Sequence, residues 1–355
     1  MDVLKKIIKV SKESNKILLK DINYTYKDFY KDKEKFLYFF RKINKKSVIA
    51  VCANYSPHFL SLIFATYESG NILTFINTSA SYYEKNHIIK NSSACLVFFD
   101  RDTIIEGKNY SQFMNYKVLK RKVNLNLFKK DDNFIIYTSG TTSKPKGVIL
   151  TNKAISSNVL AISKDLNLNS KYISIIFSPP GYAMALSQII TYMFNEMSFI
   201  LNPNGLKFPA VIINKIKKHK VNLLNINVSA FRILKGYIDH NKTKFKNIKM
   251  IMSGGMQMTD DTILQYKKYF PKSEIINFYG CTENSPRISH FHIKKFKRNF
   301  YNNWPVGKSL NGVKIKVLKN KNKKIGKILI SGSSLMRGYL KKPLLTKKKN
   351  YKWLV

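Results

Sequence analysis

Tyr137-Thr-Ser-Gly-Thr-Thr-Ser-Lys-Pro-Lys-Gly147 packs five Ser and Thr hydroxyls, two glycines and two lysines into eleven residues. The apolar run Phe134–Tyr137 leads in and Val148-Ile-Leu150 leads out. Both runs are short and rich in β-branched or aromatic residues, so the pattern predicts strand, loop, strand. Gly140 and Gly147 let backbone approach a ligand or take a positive φ. Hydroxyls and loop N–H groups can wrap phosphate oxygens, and Lys144 or Lys146 adds point charge. The order differs from G-x-x-x-x-G-K-[ST], because here the lysines precede the second glycine. A polar hairpin loop is the plain alternative; the ordered set of Thr, Gly, Lys, Pro and Gly favours phosphate.

The surrounding chain alternates. Val48–Ala53, Leu73–Ile76 and Cys95–Phe99 read as strands, with helices at 26–40, 57–70 and 82–90. Strand–helix–strand alternation predicts a parallel sheet covered by helices, an α/β fold. Residues 101–130 are polar, basic and weakly periodic, and read as a connecting loop. After the hydroxyl-rich loop, Thr151 or Asn152 caps a helix to about Lys164. Three segments are expected as subdomains: 1–130, an α/β unit; 131–300, a second α/β unit with the ligand motifs; and 301–355.

A chain of 355 residues needs more than one core. Its formal charge of +43 is extreme, yet 56 of the 63 basic residues are Lys. Lys, Asn, Ile, Phe and Tyr are all plentiful, as an AT-rich genome would encode. After Glu283 no acidic residue occurs. Such a surface attracts polyanions without specificity at low salt. No compact motif makes nucleic acid a specific partner. Cys52, Cys95 and Cys281 are odd in number and far apart, so neither a disulfide framework nor a metal spacing is present and a reducing cytoplasm fits. Residues 1–15 lack an apolar signal core. Residues 172–195 carry no charge, but Ser178-Pro-Pro-Gly181 interrupts them, giving strand, loop and helix rather than a transmembrane segment.

Two further stretches carry chemistry. Ile248–Met252 runs into Ser253-Gly-Gly255, and adjacent glycines at a strand end allow close packing against a flat ring. A simple strand-to-helix turn explains them as well. Asn277-Phe-Tyr-Gly-Cys-Thr-Glu283 ends another strand. A carboxylate such as Glu283 next to phosphates needs a divalent cation between them. As an isolated residue it reads equally as a surface ion-pair partner.

The 137–147 loop and the 277–283 stretch together resemble the signature motifs of the adenylate-forming superfamily, which includes acyl-CoA synthetases, luciferases and the adenylation domains of peptide synthetases. Ser143 stands where that family usually has Gly. The resemblance implies ATP and Mg²⁺ as cofactors, with coenzyme A as co-substrate. It implies nucleotide contacts from Thr138, Ser139, Gly140, Thr141, Gly254, Gly255, Asn277, Tyr279, Gly280 and Thr282. Thr142, Lys146 and Glu283 take the catalytic places, and Thr138 and Glu283 the metal. Pro179 and Tyr182 match a Pro-x-x-aromatic gate of the acyl pocket, although a core tyrosine after a turn reads the same way. No acid lies between Asp165 and Glu196, where amino-acid-activating relatives keep an Asp.

The implied activity is ATP-dependent activation of a small-molecule carboxylic acid, with transfer to a thiol, in fatty acid metabolism. Trp304-Pro-Val-Gly307 through Val317 resembles the segment that begins the family's small β-barrel, and only this resemblance implies part of such a barrel over 301–355. Gly326-Lys327 stands where the family has Gly-Glu, and Trp353-Leu-Val355 falls just before the family's Thr-Gly-Asp, hinge and C-terminal lid. These two departures raise an alternative: a non-catalytic nucleotide-binding remnant, or half of a split ligase whose C-terminal domain is a separate chain.

Overall fold

The computed structural model describes residues 1–107, 110–123, 128–138, 144–240, 243–293, 304–319 and 326–349. Two large sheets organise them. The first runs from edge to edge as Gly338–Tyr339, Lys146–Thr151, Asp132–Thr138, Ile72–Phe75, Val48–Cys52, Ala94–Phe99, Tyr116–Lys120 and Ser111–Phe113. Its centre pairs in parallel, from Asp132–Thr138 across to Ala94–Phe99. Both flanks are antiparallel. Every residue of Val48–Cys52 and Ile72–Phe75 is buried, as strands covered on both faces must be.

The second sheet runs as Lys308–Ser309, Arg287–Ile293, Glu274–Gly280, Met250–Gly254, Leu223–Asn225, Ile173–Ile176, Ser198–Leu201, Ile17–Leu19 and Tyr24–Thr25. From Glu274–Gly280 to Ile17–Leu19 every pair is parallel. The fold is therefore α/β, and the strand-and-helix alternation read from the sequence holds. The sheets interleave along the chain: strands at 17–25 join the second sheet, and the hairpin at 132–151 belongs to the first.

The helices start where short polar side chains can accept from free backbone N–H groups. Thr25 and Asp28 form a reciprocal cap on Tyr26–Phe39. Ser56 caps Pro57–Glu68, whose Pro57 occupies a first-turn position that needs no N–H. Thr151 caps Asn152–Asp165. The uncharged stretch folds as the strand Ile173–Ile176 and the helix Ala183–Phe194. Among the described residues no helix is long and apolar enough to cross a membrane.

Three features differ from the sequence reading or extend it. Residues 101–130 are not only loop: Ser111–Phe113 and Tyr116–Lys120 form a hairpin on the first sheet. Ser111–Phe113 is only three residues long, and Tyr116–Lys120 puts Val118 and Leu119 side by side rather than alternating, so neither strand announces itself. Residues 3–11 form a helix that buries Val3, Leu4, Ile7 and Ile8. Finally, Val313–Lys319 and Gly326–Gly332 pair as a two-stranded antiparallel ribbon.

Candidate functional site

The hydroxyl-rich loop sits on a hairpin whose register is fixed. Thr138 lies opposite Lys146 and Tyr137 opposite Gly147. Ser139, Gly140, Thr141 and Thr142 lie outside the described residues. A Cβ on Gly147 would approach Ile135 Cγ2 to 3.0 Å and Tyr137 to 3.2 Å, so glycine keeps this foot of the loop packed. Tyr137 donates its hydroxyl to Asn91 Oδ1 at 2.7 Å, and burial pushes the phenol pKa up. It anchors the other foot.

A second chain segment clasps this hairpin. Arg337 N donates to Ile149 O at 2.9 Å and Leu340 N to Gly147 O at 2.8 Å, placing Gly338–Tyr339 as the edge strand. Arg337 Nε donates to Asp132 Oδ1 at 2.8 Å, and Asp132 is fully buried. The same segment reaches Glu283. Met336 N donates to Glu283 O, and the Tyr339 hydroxyl donates to Glu283 Oε1 at 2.7 Å. Burial first, then the bond to this carboxylate, keeps Tyr339 protonated. Neither Arg337 nor Tyr339 shows a chemical signal in the sequence; their contacts span 205 and 56 positions.

Glu283 belongs to a short 3₁₀ turn, Thr282–Asn284, that follows the strand Glu274–Gly280. Any Cβ on Gly280 would strike Pro286 O, and one on Gly254 would stand 2.4 Å from Phe278 O. Gly255 has φ +80° and open space where its Cβ would be. Gly280 and Gly254 thus let neighbouring backbone pack tightly, and only Gly255 leaves its backbone open to solvent or a ligand. The Cys281 thiol is pushed up to about 12 by burial and by neighbouring Glu283, which rules it out as a thiolate nucleophile. The Asn277 amide nitrogen donates to Pro305 O at 2.9 Å and Trp304 O at 3.3 Å, which braces that backbone, and its Oδ1 is buried without a partner among the described residues.

Thr138 and Thr282 line one cavity of about 260 Å³, together with Tyr137, Gly181, Tyr182 and Ala183. Tyr182 is 53% exposed and precedes the Ala183–Phe194 helix as its cap residue. Lys146 stands across the hairpin from Thr138, and Glu283 follows Thr282. The structure therefore brings both sequence motifs and the Tyr182 turn to one opening. A larger hollow of about 440 Å³, lined by Lys42, Arg121 and Lys122 among others, contains none of the motif residues. The donor set suits a polyanion with a divalent cation: hydroxyls at 138 and 282, a cation at 146, a carboxylate at 283 and open backbone at 255.

An α/β fold with these two motifs at one cavity defines a nucleotide-dependent ligase class. The chain belongs to the AMP-binding enzyme family, whose profile matches residues 8–340. It is 25% identical to bacitracin synthase 2 of Bacillus licheniformis over 324 residues, covering 86% of this chain and 12% of that protein. It is also 23% identical to the D-alanine–D-alanyl carrier protein ligase of Bacillus licheniformis over 225 residues, 62% of this chain and 45% of the ligase. The chain thus spans a small fraction of the first relative and under half of the second. Among solved structures, the N-terminal domain of FACL13 from Mycobacterium tuberculosis superposes with a TM-score of 0.81 at 15% identity, covering 100% of this chain and 95% of that one. The o-succinylbenzoate coenzyme A synthetase (MenE) of Bacillus subtilis, solved with ATP and magnesium ion, gives 0.80 at 16% identity, covering 99% and 75%. At these identities the solved structures establish the shared fold.

Proposed function

We propose that this chain binds ATP with Mg²⁺ and activates a carboxylic acid as an acyl-adenylate, whose acyl group then passes to a thiol, coenzyme A. The observation that carries the reading is that Thr138 and Thr282 line the cavity that Tyr182 borders, with Lys146 opposite Thr138 in the hairpin and Glu283 next to Thr282 in the chain. In the reaction a carboxylate oxygen attacks the α-phosphorus while the bond to pyrophosphate breaks. The thiol sulfur then attacks the acyl carbonyl and AMP leaves. The chain's own residues align two anions that would otherwise repel. Thr138 and Thr282 orient phosphate oxygens, Lys146 offsets their charge and Glu283, fixed by Tyr339, would hold the metal. Bound Mg²⁺ would supply the remaining charge neutralisation.

Tyr182 would gate the acid, and the lack of charge over 172–195 favours an acid without an α-ammonium. A carrier-protein thiol is a second reading for the acceptor, favoured by the similarity to a carrier protein ligase. ATP–pyrophosphate exchange over a panel of acids, with and without an α-ammonium, tests the reading. Acid-dependent exchange is the expected result. Exchange with free amino acids alone would overturn the substrate class, and absence of nucleotide binding would overturn the whole reading.

A further inference from the structure

Among the described residues, one buried cation in the second sheet has no carboxylate partner. Arg287 is 3% exposed, and its Nε and Nη1 have no hydrogen-bond partner. Nη2 meets only the Met184 sulfur, at 3.9 Å. The guanidinium lies 3.3 Å over the Phe278 ring. Burial drives its pKa down to about 9, the signature of a cation held against its preference. A buried unpaired charge is among the costliest arrangements a protein can keep.

Polar groups on the helix that carries Met184 are also unsatisfied among the described residues. Met184, Gln188 and Thr191 recur at helical spacing on one face of Ala183–Phe194. Both amide atoms of Gln188 and the Thr191 hydroxyl are buried without partners. Tyr192, one position on, interacts electrostatically with Arg287 and accepts from Ser174. Asn225 Nδ2, at the end of its strand, is unsatisfied too. The unpartnered donors Gln188 Nε2 and Asn225 Nδ2 stand beside the unpartnered acceptor Gln188 Oε1 and the Thr191 hydroxyl, which can do either.

The group lies next to the cavity already described. Met184 follows Ala183, a lining residue, and Gly280, the strand partner of Arg287, precedes the lining Thr282 by two positions. Met184 is unbranched, so a rotamer change can open the way between cavity and guanidinium. The reacting carboxylate must stay by the nucleotide groups at the cavity. Arg287 touches Met184, the chain neighbour of the cavity-lining Ala183, so the far end of an acid that reached past Met184 would meet it.

We infer that Arg287 is the receptor for a second carboxylate on the substrate, so that the acid activated is a dicarboxylate, with Gln188 as the accompanying donor. The inference rests on the acid-activating reading above. It also excludes a cationic tail, since an ammonium would meet a like charge without compensation.

The test compares straight-chain monocarboxylates with α,ω-dicarboxylates of the same length, four to ten carbons. Binding to the 355-residue chain is followed by calorimetry with Mg²⁺ and a non-hydrolysable ATP analogue, and by thermal shift with and without the nucleotide. At least one dicarboxylate is expected to bind tenfold or more tightly than its monocarboxylate. Arg287→Met, which keeps the length and the packing on Phe278, is expected to abolish that preference while leaving Tm equal or higher, because it removes an unpaired buried charge. Equal or tighter binding of monocarboxylates, or of dicarboxylates to Arg287→Met, overturns the inference. So does a marked fall in the Tm of Arg287→Met, which would make the arginine a structural brace, or binding of none of the acids to nucleotide-loaded protein. If the ATP analogue itself fails to bind, the proposed function falls instead, and the dicarboxylate preference is then decided by thermal shift without nucleotide.

Discussion

Replacing Tyr339 by Phe removes one hydroxyl and nothing else. Tyr339 is 6% exposed, and its ring packing survives the change. What is lost is the 2.7 Å bond to Glu283 Oε1. A hydrogen bond to a charged group contributes about 1.5–3 kcal/mol. Glu283 is only partly buried, so water can replace part of the bond and the lower end, about 1.5 kcal/mol, is expected. Glu283→Gln makes the complementary change, because a glutamine Oε1 still accepts from the hydroxyl while the charge is gone. Its stability should change by about 0.5 kcal/mol or less, but its Mg²⁺ requirement for ATP binding should rise. For Tyr339→Phe both should move: a urea midpoint lowered, and an Mg²⁺ midpoint raised by up to about tenfold if the whole loss is expressed in metal binding. The assays are urea unfolding followed by fluorescence and calorimetric ATP titrations at stepped Mg²⁺. If Glu283→Gln is as unstable as Tyr339→Phe and leaves the Mg²⁺ titration unchanged, the carboxylate is structural and the metal role is refuted.

Lys146→Ala should weaken ATP more than adenosine; equal losses in equilibrium binding would separate Lys146 from the phosphates. Gly254→Ala forces a Cβ to 2.4 Å from Phe278 O, and unfolding should show a loss of about 1–3 kcal/mol; an unchanged melting curve would contradict the packing. His292 donates to Glu274 Oε1 and Asp165 Oδ2, and although burial alone lowers its pKa, the two carboxylates raise it overall above 6.5. Its stabilisation is therefore full below pH 6.5 and lost as pH rises through the folded value. His292→Gln should flatten the decline of Tm on that alkaline side, and an identical slope in both proteins would dismiss the contribution.

Local chemistry is legible in the sequence wherever neighbouring residues carry it. The loop of hydroxyls, the paired glycines and the Tyr-Gly-Cys-Thr-Glu run announce themselves by composition and spacing, and the apolar runs at 48–53 and 73–76 are strands in the structure. Contacts that depend on distant segments are not legible. Nothing about Arg337-Gly-Tyr339 says that it pairs with Ile149 and Val148 or holds Glu283. Asn277 reads as a nucleotide contact, and its amide nitrogen also braces the 304–305 backbone, a partner 27 or 28 positions away. The hairpin at 111–120 is hidden because one strand is three residues long and the other, Tyr116–Lys120, sets Val118 beside Leu119 instead of alternating.

The segment from Met336 to Leu340 has a consequence for how tightly a ligand can be held. Within five residues its backbone bonds to Glu283, to Ile149 and to Gly147, so one strap fixes both the carboxylate and the foot of the hydroxyl-rich loop. In a chain without such a strap, each arriving ligand must itself immobilise these parts and lose affinity to their lost freedom. Here that ordering is complete once the chain has folded, and the side chains at 146 and 283 start from backbone positions already set relative to each other. Loosening the strap, for instance with Arg337→Ala, should therefore cost affinity for MgATP through entropy, although Arg337 bonds to Asp132 and to backbone and not to Lys146 or Glu283.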